Sequence, residues 1–193
     1  MSDQDEAKFR MIEYHKWKFK AKIFSPLAPL TVKRTPVLMT RVEYGFLGSY
    51  NKYKKSPFET FYMGGDGMSG YSSTYATETI GLRGYENGSI AGNGGYNSYG
   101  YAYSRLSMEL RYPFLLEPSS TIYGLVFVEA GNAWRDLKDF NPFQLKRSAG
   151  VGVRIFLPMI GLMGIDWAYG FDRPDGYDQR GGSNFHFIIG QEF

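Results

Sequence analysis

The amino-acid sequence predicts an all-β protein, an antiparallel transmembrane β-barrel of which about seven strands are visible. Three observations carry this reading. Residues alternate with a period of two along nearly the whole chain, large apolar and aromatic side chains gather on one face of that alternation, and short connections alternate with long ones.

Residues 16–24 set Lys16, Lys18, Lys20 and Lys22 against Trp17, Phe19, Ala21 and Ile23, which gives one wet face and one greasy face. In the next segment Leu38, Thr40, Val42, Tyr44 and Phe46 alternate with Met39, Arg41, Glu43 and Gly45. A connection at 48–98 follows, about fifty residues and far beyond an ordinary hairpin loop, which marks it as functional or disordered. Over 102–112, Leu106, Met108 and Leu110 oppose Arg105, Ser107, Glu109 and Arg111. The segment around Val126 is apolar on both faces apart from Glu129.

Ala149, Val151, Val153, Ile155 and Leu157 then alternate with Ser148, Gly150, Gly152 and Arg154. Met163, Ile165, Trp167, Tyr169 and Phe171 oppose Gly164, Asp166, Ala168 and Gly170. The last ten residues put Phe185, Phe187, Ile189 and Phe193 opposite Asn184, His186, Gly190 and Glu192. Several of these segments approach the roughly 9–11 residues with which a tilted strand crosses a bilayer. Links at 113–120 and 158–161 are short and those at 132–144 and 172–183 are longer, the habit of outer-membrane barrels.

A soluble antiparallel sandwich alternates as well, because one face packs and the other meets water. The kind of residue favours the barrel: aromatics and aliphatics lie on one face, Gly, Ser and charges on the other, as with lipid outside and water inside. On this reading Trp17, Phe19, Val151, Val153, Ile165, Trp167 and Tyr169 face lipid, while Lys18, Lys20, Arg154 and Asp166 face the lumen.

Composition points the same way. Aromatic residues make up 18%, with 16 Tyr and 24 Gly, a bias towards strands, turns and interfacial rings. Charged residues make up 21% and no stretch supplies the roughly 20 apolar residues of a membrane-spanning helix. The net charge of +3 is small and its basic residues alternate along strands instead of clustering, so nucleic-acid binding has little support. The absence of Cys removes disulfides and thiolate metal sites. The opening Met1-Ser2-Asp3-Gln4-Asp5-Glu6 is unlike a secretory signal, which an outer-membrane protein needs, so the chain reads as truncated.

Most motifs reduce to turns and loops. Gly65-Asp66-Gly67-Met68-Ser69-Gly70 matches a dinucleotide pattern literally, but no helical period follows it. Asn87-Gly88-Ser89 spells a turn, and Asp172, Asp175 and Asp178, interrupted by Pro174 and Gly176, form a solvated loop rather than an EF-hand. His15 and His186 stand far apart without Cys or carboxylates at metal-ligand spacing. No catalytic residue, metal or cofactor is expected.

Glu109 and Glu129 are more informative, because a carboxylate within a strand is costly unless it meets water or a cation. The long loop offers Leu82-Arg83-Gly84-Tyr85, whose arginine has a forked set of donors suited to carboxylates.

Six stretches together resemble a known family. Phe58-Glu59-Thr60-Phe61-Tyr62-Met63-Gly64-Gly65 and Leu82-Arg83-Gly84-Tyr85 resemble the entry and the tip of the sixth extracellular loop in BamA-type outer-membrane protein assembly factors of the surface-antigen superfamily. Ser107-Met108-Glu109-Leu110, Val128-Glu129-Ala130-Gly131-Asn132-Ala133-Trp134 and Ser148-Ala149-Gly150-Val151-Gly152 resemble the strands that follow. The terminal run from Phe185 to Phe193 resembles that family's last strand and aromatic-ended assembly signal. Two departures are the longer stretch between Gly65 and Leu82 and Glu129 where an Asp is frequent.

The resemblance implies that residues 1–193 are the carboxy-terminal part of one barrel domain, from about the tenth to about the sixteenth strand of a family barrel of about sixteen. It implies that the loop folds into the lumen, where Arg83 pairs with Glu109 and Glu129. Phe185, Phe187, Ile189, Gly190 and Phe193 would belong to a seam strand that opens towards lipid and templates an incoming strand. The implied activity is the folding and insertion of β-barrel proteins in the cell outer membrane, without enzymatic chemistry. Expected partners are outer-membrane lipid, unfolded β-barrel substrates and accessory assembly lipoproteins, with no nucleic acid. The alternatives are a transport or secretion barrel of the same superfamily, or a plain structural or pore-forming barrel.

Overall fold

Segments with a two-residue period pair edge to edge in chain order. The computed structural model describes residues 13–29, 31, 34–50, 55–67, 78–90, 99–117, 119–159 and 161–190. Its strands are β1 (Tyr14–Pro26), β2 (Val37–Ser49), β3 (Phe61–Met63), β4 (Glu78–Ile80), β5 (Ala102–Glu117), β6 (Ser120–Trp134), β7 (Lys146–Leu157), β8 (Gly161–Gly170) and β9 (Gly182–Ile189). Seven of them make one antiparallel sheet in the order β1-β2-β5-β6-β7-β8-β9. Among the described residues β1 and β9 pair on one side only, and because the sheet holds an odd number of alternating strands both edges run in the same direction.

Register carries the alternation across the whole sheet. Arg41 opposes Ser107, Ser107 opposes Glu129, and Glu129 opposes Ser148, so their side chains share one face. Gly152, Asp166 and His186 continue that face to the far edge. Residues of the other face are exposed and apolar: Trp17 is 70% exposed, Val153 46% and Phe187 58%. A greasy exterior around a polar interior is the arrangement of a membrane barrel. No helix among the described residues is long and apolar enough to cross a membrane.

One expectation needs correction. The connection expected at 113–120 is shorter, because β5 runs on to Glu117 with a register shift between Pro113 and Leu115. Proline lacks a ladder donor and is accommodated at such a bulge. The connection at 48–98 is folded in its described parts: β3 and β4 pair in parallel there, and Phe61 bridges to Gly100. Leu47, Phe61, Met63, Ile80, Leu82, Tyr85, Ile90, Tyr101, Tyr103 and Ala133 form one buried cluster that seats the loop on the inner face. The long strands also exceed a minimal bilayer crossing, with 16 residues in β5 and 15 in β6.

The double-sided apolar character of β6 has its cause in that loop. Val126 and Val128 point outward and are exposed, whereas Leu125 and Phe127 point inward and are buried. Phe193, the opening residues 1–6 and most of the sequence after Gly67 in the glycine-rich stretch, 68–77, lie outside the described residues.

Candidate functional site

The loop tip is held by its own backbone before it meets the wall. Gly65 and Leu82 exchange two main-chain hydrogen bonds of 3.1 Å, Gly64 N–H donates to Ile80 O at 3.0 Å, and Ile90 N–H donates to Met63 O at 3.0 Å. This brace presents Arg83 to the inner face, where it is completely buried.

Arg83 donates from both terminal nitrogens of its guanidinium. Nη2 donates to Glu109 Oε1 at 2.5 Å and to Glu129 Oε1 at 2.7 Å, and Nη1 donates to Asp166 Oδ2 at 2.9 Å. The Arg83 backbone N–H donates to the second Glu129 oxygen at 2.9 Å. Below the guanidinium the Phe127 ring centroid lies 3.5 Å from its central carbon, a stacked cation–π contact. Burial alone disfavours the charged guanidinium, but Glu129, Glu109 and Asp166 outweigh it and hold Arg83 above its ordinary pKa.

Each carboxylate is also gripped from the wall. Arg105 Nη2 donates to Glu129 at 2.8 Å with Ser107 Oγ at 3.0 Å, Arg111 donates to Glu109 at 2.9 and 2.7 Å, and Arg154 donates to Asp166 at 2.6 and 2.7 Å. The socket therefore keeps one strand-borne arginine per carboxylate without the loop. Removing Arg83 would leave Glu109 and Glu129 each with a wall arginine and would undock the loop from a prebuilt site.

The two residues after Arg83 fasten the tip towards the far edge. Gly84 N–H donates to His186 Nε2 on β9 at 2.9 Å. Gly84 has φ +87°, and a Cβ there would lie 2.9 Å from both Gly170 N and Ser148 Cβ, so only glycine fits. Tyr85 Oη donates to Arg147 O at 2.6 Å and accepts the Asp172 N–H at 3.3 Å. Burial pushes the Tyr85 hydroxyl up to about 12, which keeps it a donor. Asp172 in turn accepts from the Arg147 backbone N–H at 2.7 Å and from its guanidinium at 3.0 and 2.9 Å, bonds that hold its carboxyl below the usual range.

A second fastening lies on β1. Lys16 Nζ is 2.9 Å from both Glu59 and Glu78, and Lys18 Nζ is 3.0 Å from Glu78. Burial alone would raise the Glu78 carboxyl, but the two lysines outweigh it and hold it below its ordinary value. The loop thus spans the inner face from one edge strand to the other.

The model of the Omp85 superfamily domain matches residues 9–193. The chain belongs to the Omp85 superfamily. Among solved structures it is similar to BamA from Haemophilus ducreyi lacking POTRA domains 1–3, with 19% sequence identity and a TM-score of 0.60. That match covers 91% of this chain and 35% of the BamA chain, and shows that the sheet has the fold of part of the BamA barrel. No curated protein matches the chain.

In this Omp85 chain the residues singled out from sequence fall into two groups. Arg83, Glu109 and Glu129 meet at the socket, with Leu82, Gly84 and Tyr85 packed around the tip. Phe185, Phe187 and Ile189 instead lie on the exposed outer face of β9, away from the socket. Gly190 follows that strand with φ +74° and its N–H donates to Leu162 O at 2.7 Å. Sequence reasoning missed Asp166 as the third carboxylate, Phe127 beneath the guanidinium, and His186 as acceptor for Gly84. The alternation had already put Asp166 and Arg154 on the inner face, which was the available signal.

Proposed function

We propose that the chain is the carboxy-terminal part of a barrel that folds and inserts other β-barrel proteins into the outer membrane, with β9 as the strand that receives an incoming one. The observation that carries this reading is the tie between the loop tip and β9, the terminal strand of the sheet. Gly84 is bonded to His186 on β9, and β9 is paired only with β8 among the described residues. An open edge offers a row of main-chain donors and acceptors on which a substrate strand can pair, and in lipid that pairing is strongly favoured.

Such a barrel works without covalent chemistry, since the substrate's own backbone pairing and burial of its lipid-facing surface drive the process. Its partners are lipid, unfolded β-barrel polypeptides and accessory lipoproteins. A plain pore, the second reading, needs an open water path along the inner face, and here Leu82, Arg83, Tyr85 and Ile90 cover that face. A transport or secretion barrel would pass its cargo through the lumen after loop displacement.

The test uses the full-length protein in liposomes. Faster folding of a urea-unfolded outer-membrane barrel than in empty liposomes supports assembly. Steady ion conductance with no effect on folding favours the pore, and translocation of a soluble cargo favours secretion.

A further inference from the structure

The Gly84–His186 hydrogen bond joins the loop tip to the only inner-face imidazole of β9. The geometry fixes the chemistry of that bond. A backbone N–H can only donate, so Nε2 must hold a lone pair and the ring must be neutral with its proton on Nδ1. Gly84 is closely packed, since a Cβ on it would meet Gly170 N and Ser148 Cβ at 2.9 Å and the Tyr169 carbonyl carbon at 3.0 Å. Loss of the acceptor therefore strands a buried donor.

We propose that His186 is a positioning residue that holds the loop tip on β9 only while its imidazole is neutral, so that acidification releases the tip from the seam strand. This deepens the assembly reading above and rests on it for its functional meaning. The charged groups around the ring set what protonation does. Arg83 of the loop, Asp166 of β8 and Glu129 of β6 are near it, as is Asp66 of the loop. Asp166 and Glu129 are already committed to guanidiniums. An imidazolium would stand beside Arg83, one residue from the amide it had bonded, and Asp66 would draw it away from Gly84.

The consequence is a division of labour between the fastenings. The Arg83 socket pairs groups that stay charged across the physiological range, and Tyr85 with Asp172 secures the β7 and β8 ends. Among the described residues the Gly84–His186 bond ties the tip to the edge strand, through a group that accepts only while it is neutral. Acid would free β9 from the loop while the loop stays inside the barrel.

The experiment is hydrogen exchange of the loop-tip peptide containing Gly84 in the full-length protein in liposomes, at pH 7.5 and pH 5.5, corrected for the intrinsic pH dependence of exchange. No substrate is present, so a failure here leaves the assembly reading untouched. Wild type should lose protection at the lower pH, where protonation removes the acceptor. His186→Gln, whose carbonyl accepts at any pH, should keep protection at both values, and His186→Ala should lack it at both. A shift in gel migration between unheated and heated samples, the same as in wild type, establishes that each variant is folded. Equal protection of wild type at both pH values, or the same loss in His186→Gln, would overturn the proposal.

Discussion

Arg83 and Asp166, 83 residues apart in the chain, meet at 2.9 Å inside the sheet, and Arg154 grips the same carboxylate from the other side. Asp166 therefore links the loop tip to β7. The Asp166→Asn change removes the charge between two guanidiniums and should weaken loop docking by about 1.5–3 kcal/mol. Limited proteolysis of the loop in the folded full-length protein reads this out. A double-mutant cycle with Arg83→Ala should show strong coupling, and simple additivity would mean the contact contributes nothing.

Arg83 itself gives a sharper test. Arg83→Ala should undock the loop at a cost on the order of 3 kcal/mol, the lower end for breaking a buried pair, because each carboxylate retains a wall arginine. Arg83→Lys should rescue little, since an ammonium cannot span three carboxylates with a planar fork. Barrel strands should stay protected in hydrogen exchange while the loop opens. Global loss of strand protection would contradict the picture of a prebuilt socket.

Orientation can be checked residue by residue. Arg in place of the outward-facing Val153 should cost about 2–4 kcal/mol of insertion stability near the bilayer midplane, and the same side chain in place of inward-facing Asn184 should cost less. Single cysteines at Lys18 and Lys20 should react with a membrane-impermeant reagent in liposomes, whereas cysteines at Val153 and Ile165 should not. Equal reaction on both faces would rule out the assignment.

The faces of the barrel were legible in the sequence because alternation is local: Trp17, Val153 and Ile165 announce their side through their immediate neighbours. The pairing of Arg83 with Glu109 and Glu129 came from the family resemblance, which supplied the cation that two strand carboxylates needed. Asp166 and His186 were not connected to the tip, although both were placed on the correct face. Which inner residues meet the loop depends on strand order and register, which bring β6, β8 and β9 around one point. The β3–β4 pair escaped notice because three-residue strands are too short to show a period. The bulge after Pro113 disguised the end of β5 as a turn.

The edges set a further expectation. With seven antiparallel strands, β1 and β9 run in the same direction, so closure without a parallel contact needs an odd number of additional strands. The 193-residue polypeptide expressed alone should therefore aggregate or associate edge to edge in detergent. Native mass spectrometry with hydrogen exchange decides this. A stable monomer with both edge strands protected would mean that the sheet closes on itself.

Strand templating is tested most directly by crosslinking during assembly. Full-length protein carrying a single cysteine at Ser183, Phe185 or Phe187 of β9 is mixed in liposomes with an unfolded outer-membrane barrel bearing single cysteines along its last strand. Disulfides are then trapped while the substrate folds. Crosslinks from β9 in one antiparallel or parallel register, and none from a cysteine at Val153 in the interior of the sheet, are the expected result. Absence of β9 crosslinks while the substrate folds efficiently, or equal crosslinking from Val153, would contradict the role of β9 as the receiving edge.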